Sequence, residues 1–178
     1  AGNRSPKDLV GTPVCPSDDP ETGARALTLD EVEQLRDDFV AGAVRAEKAG
    51  FDGVEIHGAH GYIISQFLSP AINHRGDRYG GSLENRARLL IEIIDGIRKS
   101  TGPNFQLGLR LSPERFGLQL AEIVEVAQEV LSAGHLDFLD MSLWDVAKEP
   151  TEEAFKGKSL ISFFTDLNRG ATKLGVAG

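Results

Sequence analysis

The stretch Thr28-Leu-Asp-Glu-Val-Glu-Gln-Leu-Arg-Asp-Asp-Phe-Val-Ala-Gly-Ala-Val-Arg-Ala-Glu-Lys-Ala-Gly-Phe-Asp-Gly-Val-Glu-Ile-His57 decides the fold. It opens on Thr28 followed three residues later by Glu31, a capping box in which hydroxyl and carboxylate each satisfy a free backbone N–H. Leu29, Val32, Leu35, Phe39, Ala43 and Ala46 then recur at helical spacing, and Gly50 supplies the stop. From Phe51 the period switches to two. Val54 and Ile56 face one way and Glu55 and His57 the other, which predicts a strand directly after the helix.

The same alternation continues toward the C-terminus. A second helix runs from about Ser82, striped by Leu83, Ala87, Leu90, Ile91, Ile94 and Ile97, and stops at Gly102-Pro103. Phe105–Leu111 is a second strand. A third helix carries Ile123, Val124, Ala127, Val130 and Leu131 and closes at Gly134; Asp137–Ser142 is the next strand. Leu160, Ile161, Phe164 and Leu167 predict a fourth helix before a last strand at Lys173–Ala177. Residues 1–27, punctuated by Pro6, Gly11, Pro13, Pro16, Pro20 and Gly23, read as a long surface loop. Residues 28–178 read as the βα units of one incomplete domain.

Alternating helices and strands imply an α/β protein with a parallel sheet and helices packed outside it. An open doubly wound sheet and part of a (β/α)8 TIM barrel both satisfy that order. Strands of an open sheet are apolar on both faces, and these are not. Val54/Ile56 and Leu107/Leu109/Leu111 suit the helix side, leaving Glu55/His57 and Gly108/Arg110/Ser112 to point inward, with Glu55 and Arg110 expected to neutralise each other. The barrel is favoured. A complete one typically takes about 250 residues, so about four βα units make roughly half.

Composition narrows the function. The 178 residues are 40% hydrophobic and 26% charged with a net charge of −8, and a phosphate-neutralising nucleic-acid partner would need a basic face. No apolar run approaches the roughly 18 residues that cross a bilayer. Cys15, the single cysteine, can form no internal disulfide, consistent with a reducing, cytoplasmic setting. The only methionine is Met141, and the chain stops inside its last strand, so it reads as an excerpt of something longer.

Barrel chemistry sits at the C-terminal ends of strands. The first strand ends in His57-Gly-Ala-His60-Gly-Tyr62, and the second carries Arg110 at the same rim. Two neutral imidazoles can each give one N–H to a single oxygen that gathers negative charge, and a phenol can give a proton to a carbanion-like carbon. Two plainer readings compete. The histidines could be satisfied core groups, or half of a metal site, although Cys15, Glu55, His74 and His135 fall in unrelated places. The long segment Ser65–Arg86 reads as an ordered loop in which Arg75 and Asp77 are structural. Gly80-Gly81 lacks the Lys-Ser/Thr and the preceding strand of a phosphate loop.

Gly50–Tyr62, continued by Phe67-Leu-Ser-Pro70, Asn73-His-Arg75, Asp77 and Tyr79-Gly-Gly-Ser-Leu-Glu-Asn-Arg86, resembles the old yellow enzyme family of FMN-dependent NAD(P)H:flavin oxidoreductases, or ene-reductases. The resemblance is dense over these residues and looser through Leu109-Arg110. It implies an FMN-containing barrel of which this chain holds roughly strands four to seven. It also implies hydride passing from NAD(P)H through the flavin to the activated C=C of a small carbonyl or nitro substrate. His57 and His60 would hold the substrate oxygen, Tyr62 would be the proton donor, and Arg110, with His57, would contact the flavin. With strands missing on both sides, the chain alone is expected to hold FMN poorly, and pairing with another copy would cover its open edges. The other expectation is a non-catalytic half-barrel that keeps the motifs without the cofactor.

Overall fold

Thr28 caps the first long helix as its sequence requires. Its hydroxyl accepts from the Glu31 N–H at 3.2 Å, and Glu31 Oε2 accepts from the Thr28 N–H at 2.8 Å. The computed structural model describes residues 2–178. A 3-10 turn at Gly2–Arg4 and helix α1 (Lys7–Val10) lead to two short strands, β1 (Val14–Cys15) and β2 (Arg25–Ala26), paired in parallel. Then follow α2 (Leu29–Lys48), β3 (Gly53–Gly58), α3 (Ile63–Leu68), α4 (Leu83–Ser100), β4 (Gln106–Leu111), α5 (Leu120–Ala133), β5 (Phe138–Ser142), α6 (Ser162–Thr165) and β6 (Lys173–Ala177).

The four longer strands form one parallel sheet in the order β3-β4-β5-β6. Each strand lies beside the one before it, the arrangement of consecutive barrel staves, and β3 and β6 are left with an open edge. The helix-side parity holds. Ile56, Leu107, Leu109, Leu111, Leu139 and Met141 are buried against the helices, together with Leu89, Leu90, Ile93, Ile94 and Ile97 of α4. Each such side chain contributes about 1.5–3 kcal/mol of burial, and this apolar layer holds the strands in register.

Three segments depart from the sequence reading. The 1–27 segment, expected as a surface loop, is partly internal: Cys15, Ala24 and Leu27 are buried, and β1–β2 pairing was invisible in strands only two residues long. Within Ser65–Arg86, residues up to Leu68 belong to the wholly buried α3. The fourth helix is a single turn, Ser162–Thr165, because Asn168 and Gly170 follow at once.

The α3–α4 connection is ordered by its arginines. Arg75 pairs with Asp77 and donates to the carbonyls of Pro16 and Leu27, clamping the N-terminal segment down. Asn73 donates to the carbonyls of Phe67 and Tyr79 at 2.7 and 2.8 Å. Arg86, buried, donates to the Leu68 carbonyl at 3.0 Å and pairs with Glu122 of α5. These contacts fix the end of α3, and through it the turn that leaves β3.

Candidate active site

His57 is the penultimate residue of β3, and His60 and Tyr62 lie in the turn that follows. That turn is tight. His60 and Gly61 both adopt left-handed backbone, φ 61° and 71°, and fold the chain back so that three rings converge. The His57 and His60 ring centroids are 5.0 Å apart, edge to face, and those of His57 and Tyr62 are 5.3 Å apart. Gly61 is required twice over: by its φ, and because a Cβ there would lie 2.7 Å from the Phe116 ring.

Neighbouring strand ends hold His60. Its backbone N–H donates to Ser112 Oγ at 3.0 Å, just past β4, and its Nε2 meets Ser142 Oγ, the last residue of β5, at 2.7 Å. Desolvation, the facing His60 and Arg110 push the His57 imidazole below its ordinary range. Burial and Arg110 do the same for His60, with Asp140 opposing. Both rings are therefore neutral near pH 7, the state in which each keeps one N–H donor and one acceptor nitrogen.

Arg110 stands in register with His57 on one side and Asp140 on the other. Its Nε lies 3.1 Å from Asp140 Oδ2, near enough for an ion pair but not aligned as a hydrogen bond, so the buried Nε–H has no acceptor. The expected Glu55–Arg110 pairing is thereby corrected. Glu55 is in register with Gly108, one pleat below, while β5 brings a carboxylate level with the guanidinium.

These groups open onto a cavity of about 480 Å³ whose walls include His60, Tyr62, Arg110, Phe116, Ser142 and Trp144. His57 is not among the lining groups; its ring lies 5.0 Å from that of His60 at the β3 edge, where the sheet of the described residues has no further strand. The non-glycine residues with positive φ among the described residues are His60, Arg115, Phe116 and Trp144. All four sit at this end of the sheet. Such backbone costs about 1–3 kcal/mol per residue and collects at functional sites.

His57, His60, Tyr62 and Arg110 are thus brought together. The rival metal ligands are not: His135 Nδ1 pairs with Asp95 on the outer helix layer at 3.0 Å, and Cys15 Sγ contacts the Ser17 carbonyl. Among the described residues no three His, Cys, Asp or Glu side chains converge as ligands, and no helix is long and apolar enough to cross a membrane. Sequence reasoning missed Asp140 and Ser142, although strand parity extended to Asp137–Ser142 would have put both at the rim. Phe116 and Trp144 carried no comparable signal.

The chain is similar to known flavin enzymes throughout. The signature of the NADH:flavin oxidoreductase / NADH oxidase family matches residues 1–162. An NADH oxidase from Thermoanaerobacter brockii is 44% identical over 129 residues, 68% of this chain and 20% of that protein. An NADPH dehydrogenase from Clostridium acetobutylicum is 42% identical over 145 residues, 77% of this chain and 42% of that one. An old yellow enzyme homologue from Zymomonas mobilis superposes with a TM-score of 0.79 at 30% identity, covering 99% of this chain and 54% of that structure. The chain spans well under two thirds of each of these relatives.

Proposed function

The chain belongs to the NADH:flavin oxidoreductase / NADH oxidase family, that of the old yellow enzyme its sequence resembles, and from that premise we propose that its protein is an FMN-dependent reductase. NAD(P)H is the reductant, and the acceptor is the activated C=C of a small carbonyl or nitro compound. The observation that carries this reading is the convergence of His57, His60 and Tyr62 at one strand end, beside a guanidinium with an unclaimed N–H.

The residues fit the cofactor. A buried Nε–H without an acceptor, on a side chain lining the cavity, suits the acceptor-rich edge of an isoalloxazine, so Arg110 would hold FMN there, with His57 beside it. When bound, FMN supplies two-electron chemistry that these side chains lack. The chain's own residues do the rest. His57 and His60, both neutral, donate one N–H each to the acceptor's oxygen and steady the negative charge that gathers on it. Neutrality matters, because a protonated pair would repel itself and Arg110. Tyr62, whose ring lies 5.3 Å from that of His57, holds the proton that the neighbouring carbon requires. Phe116 and Trp144 give the outer wall of the cavity its apolar surface.

The test is an anaerobic two-stage assay on the whole gene product that contains this chain, not on the 178 residues alone: bleaching of the flavin band by NAD(P)H, then recovery on adding an enone. His57→Ala and His60→Ala should leave the first stage intact and slow the second. A protein isolated without flavin, and unable to take it up, would favour the non-catalytic half-barrel instead.

A further inference from the structure

Positive charge is distributed unevenly around the cavity. On its floor, Arg110 faces the Asp140 carboxylate at 3.1 Å and is largely balanced. The mouth has no such balance. Arg4 lines the cavity with its guanidinium carbon 5.1 Å from the Phe116 ring centroid, and that of Arg115 lies 4.4 Å from the Trp144 ring.

Both arginines are exposed, and neither has a carboxylate within 4.0 Å among the described residues. Most arginines of the chain do have one; Arg45 and Arg169, which also lack it, lie away from the cavity. Acids close by in sequence are already engaged. Glu114 accepts from Lys148 Nζ at 2.6 Å and twice from Thr151 at 2.8 Å, and Asp145 Oδ1 accepts from the Ala147 N–H at 2.9 Å. A chain with net charge −8 therefore presents two guanidiniums without a carboxylate partner beside this cavity: Arg4 lines it, and Arg115 lies against the lining Trp144.

A guanidinium laid on an aromatic face is held in orientation while its N–H edges stay free, and those edges match the two oxygens of a carboxylate or phosphate. We propose that Arg4 and Arg115 form an anion-recognising subsite, taking a carboxylate or phosphate on the small molecule whose reacting end lies at the histidines. The proposal rests on the reductase reading for what lies deeper in the cavity. The anion has two sources: a carboxylate on the acceptor, or the phosphates of the nicotinamide dinucleotide.

Trp144 is the one tryptophan of the chain and reports on the mouth without turnover. Its fluorescence is titrated with benzoate and with benzamide, which differ in charge but hardly in shape, and with ADP as the phosphate-bearing probe. Benzoate or ADP is expected to bind about tenfold more tightly than benzamide. The preference should vanish at about 1 M salt, where the screening length is about 3 Å, and in the R4Q/R115Q double variant. Preference for benzoate identifies the acceptor as the source, and preference for ADP identifies the dinucleotide. Arg4→Gln alone, which leaves the Arg115–Trp144 stack in place, should remove part of it. Equal binding of all three probes, or a preference untouched in the double variant, overturns the subsite. Neither result depends on flavin, so failure here is distinct from failure of the two-stage assay.

Discussion

His60 and Ser142, 82 residues apart in the chain, meet at 2.7 Å between imidazole Nε2 and hydroxyl Oγ. On the other side of that hydroxyl lies an Arg110 guanidinium nitrogen at 3.5 Å, a group that can only donate. The Ser142 oxygen therefore faces a cation on one side and an imidazole nitrogen on the other. The hydroxyl has one proton and two acceptor lone pairs, so the contact serves either tautomer of His60: an Nδ1-protonated ring accepting the Ser142 O–H, or an Nε2-protonated ring donating to Oγ. Replacing Ser142 by Ala removes one neutral hydrogen bond, worth about 0.5–1.5 kcal/mol. Acceptor KM should rise roughly two- to tenfold, flavin reduction by NAD(P)H should be unchanged, and the nitrogen NMR shifts of His60 should move.

In the proposed reaction Tyr62 acts only after the acceptor is bound. Tyr62→Phe keeps the ring beside His57 and removes the O–H, so it should slow reoxidation by an enone by about 10²-fold while sparing reduction by NAD(P)H. Stopped-flow absorbance of the two half-reactions separates them, and a slowed first stage would contradict the role assigned to Tyr62.

The histidine pair also makes stability depend on pH. Both imidazoles are held below their ordinary value of 6.5 in the folded protein, so below that value the unfolded chain binds protons that the folded chain refuses. Stability contributed by the neutral rings is present above about 6.5 and is lost as pH falls through the folded values. The thermal midpoint should begin to fall as pH drops below about 6.5, above the range in which the depressed carboxylates Asp77, Glu114 and Asp137 titrate. His57→Gln with His60→Gln should flatten that fall. An unchanged slope in the double variant would refute the assignment.

Glu114 is the buried anchor of the segment after β5. Burial opposes its charge, yet hydrogen bonds from Lys148 and Thr151 hold the carboxyl below its usual range. Glu114→Ala leaves Lys148 without its partner, at a cost of about 2–4 kcal/mol. Urea unfolding should show that loss, and limited proteolysis should cut near residues 143–152 faster than in the parent.

The sheet ends at two unpaired edges, β3 and β6, and the floor of the cavity is walled by four strands only. The 178 residues by themselves should therefore retain no FMN through gel filtration, as the sequence reading expects. A yellow, stoichiometric complex of this chain alone would count against it.

Much of this molecule could be read before any coordinates. The Thr28 capping box, the stripe along α4 and the Gly134 stop, left-handed at φ 69°, are features of neighbouring residues, and the helices and strands came out where those features put them. The group His57, His60 and Tyr62 was legible for the same reason, since six residues of one strand end must lie close together. Illegible were the short pairings of 1–27, the truncation of α6 and the true partner of Arg110.

Local chemistry, then, sufficed for the order of helices and strands, the inward parity of Arg110 and the nature of the donors at the first strand tip. Register between strands did not follow from it. Asp140 comes level with Arg110, and Ser142 with His60, because the apolar layer of Leu109, Leu139 and Met141 locks β4 and β5 at one offset. A slip of one residue would turn every one of those side chains to the opposite face. The same packing brings Arg4 and Trp144, 140 positions apart in sequence, to the mouth of a single cavity, a proximity no short-range pattern encodes.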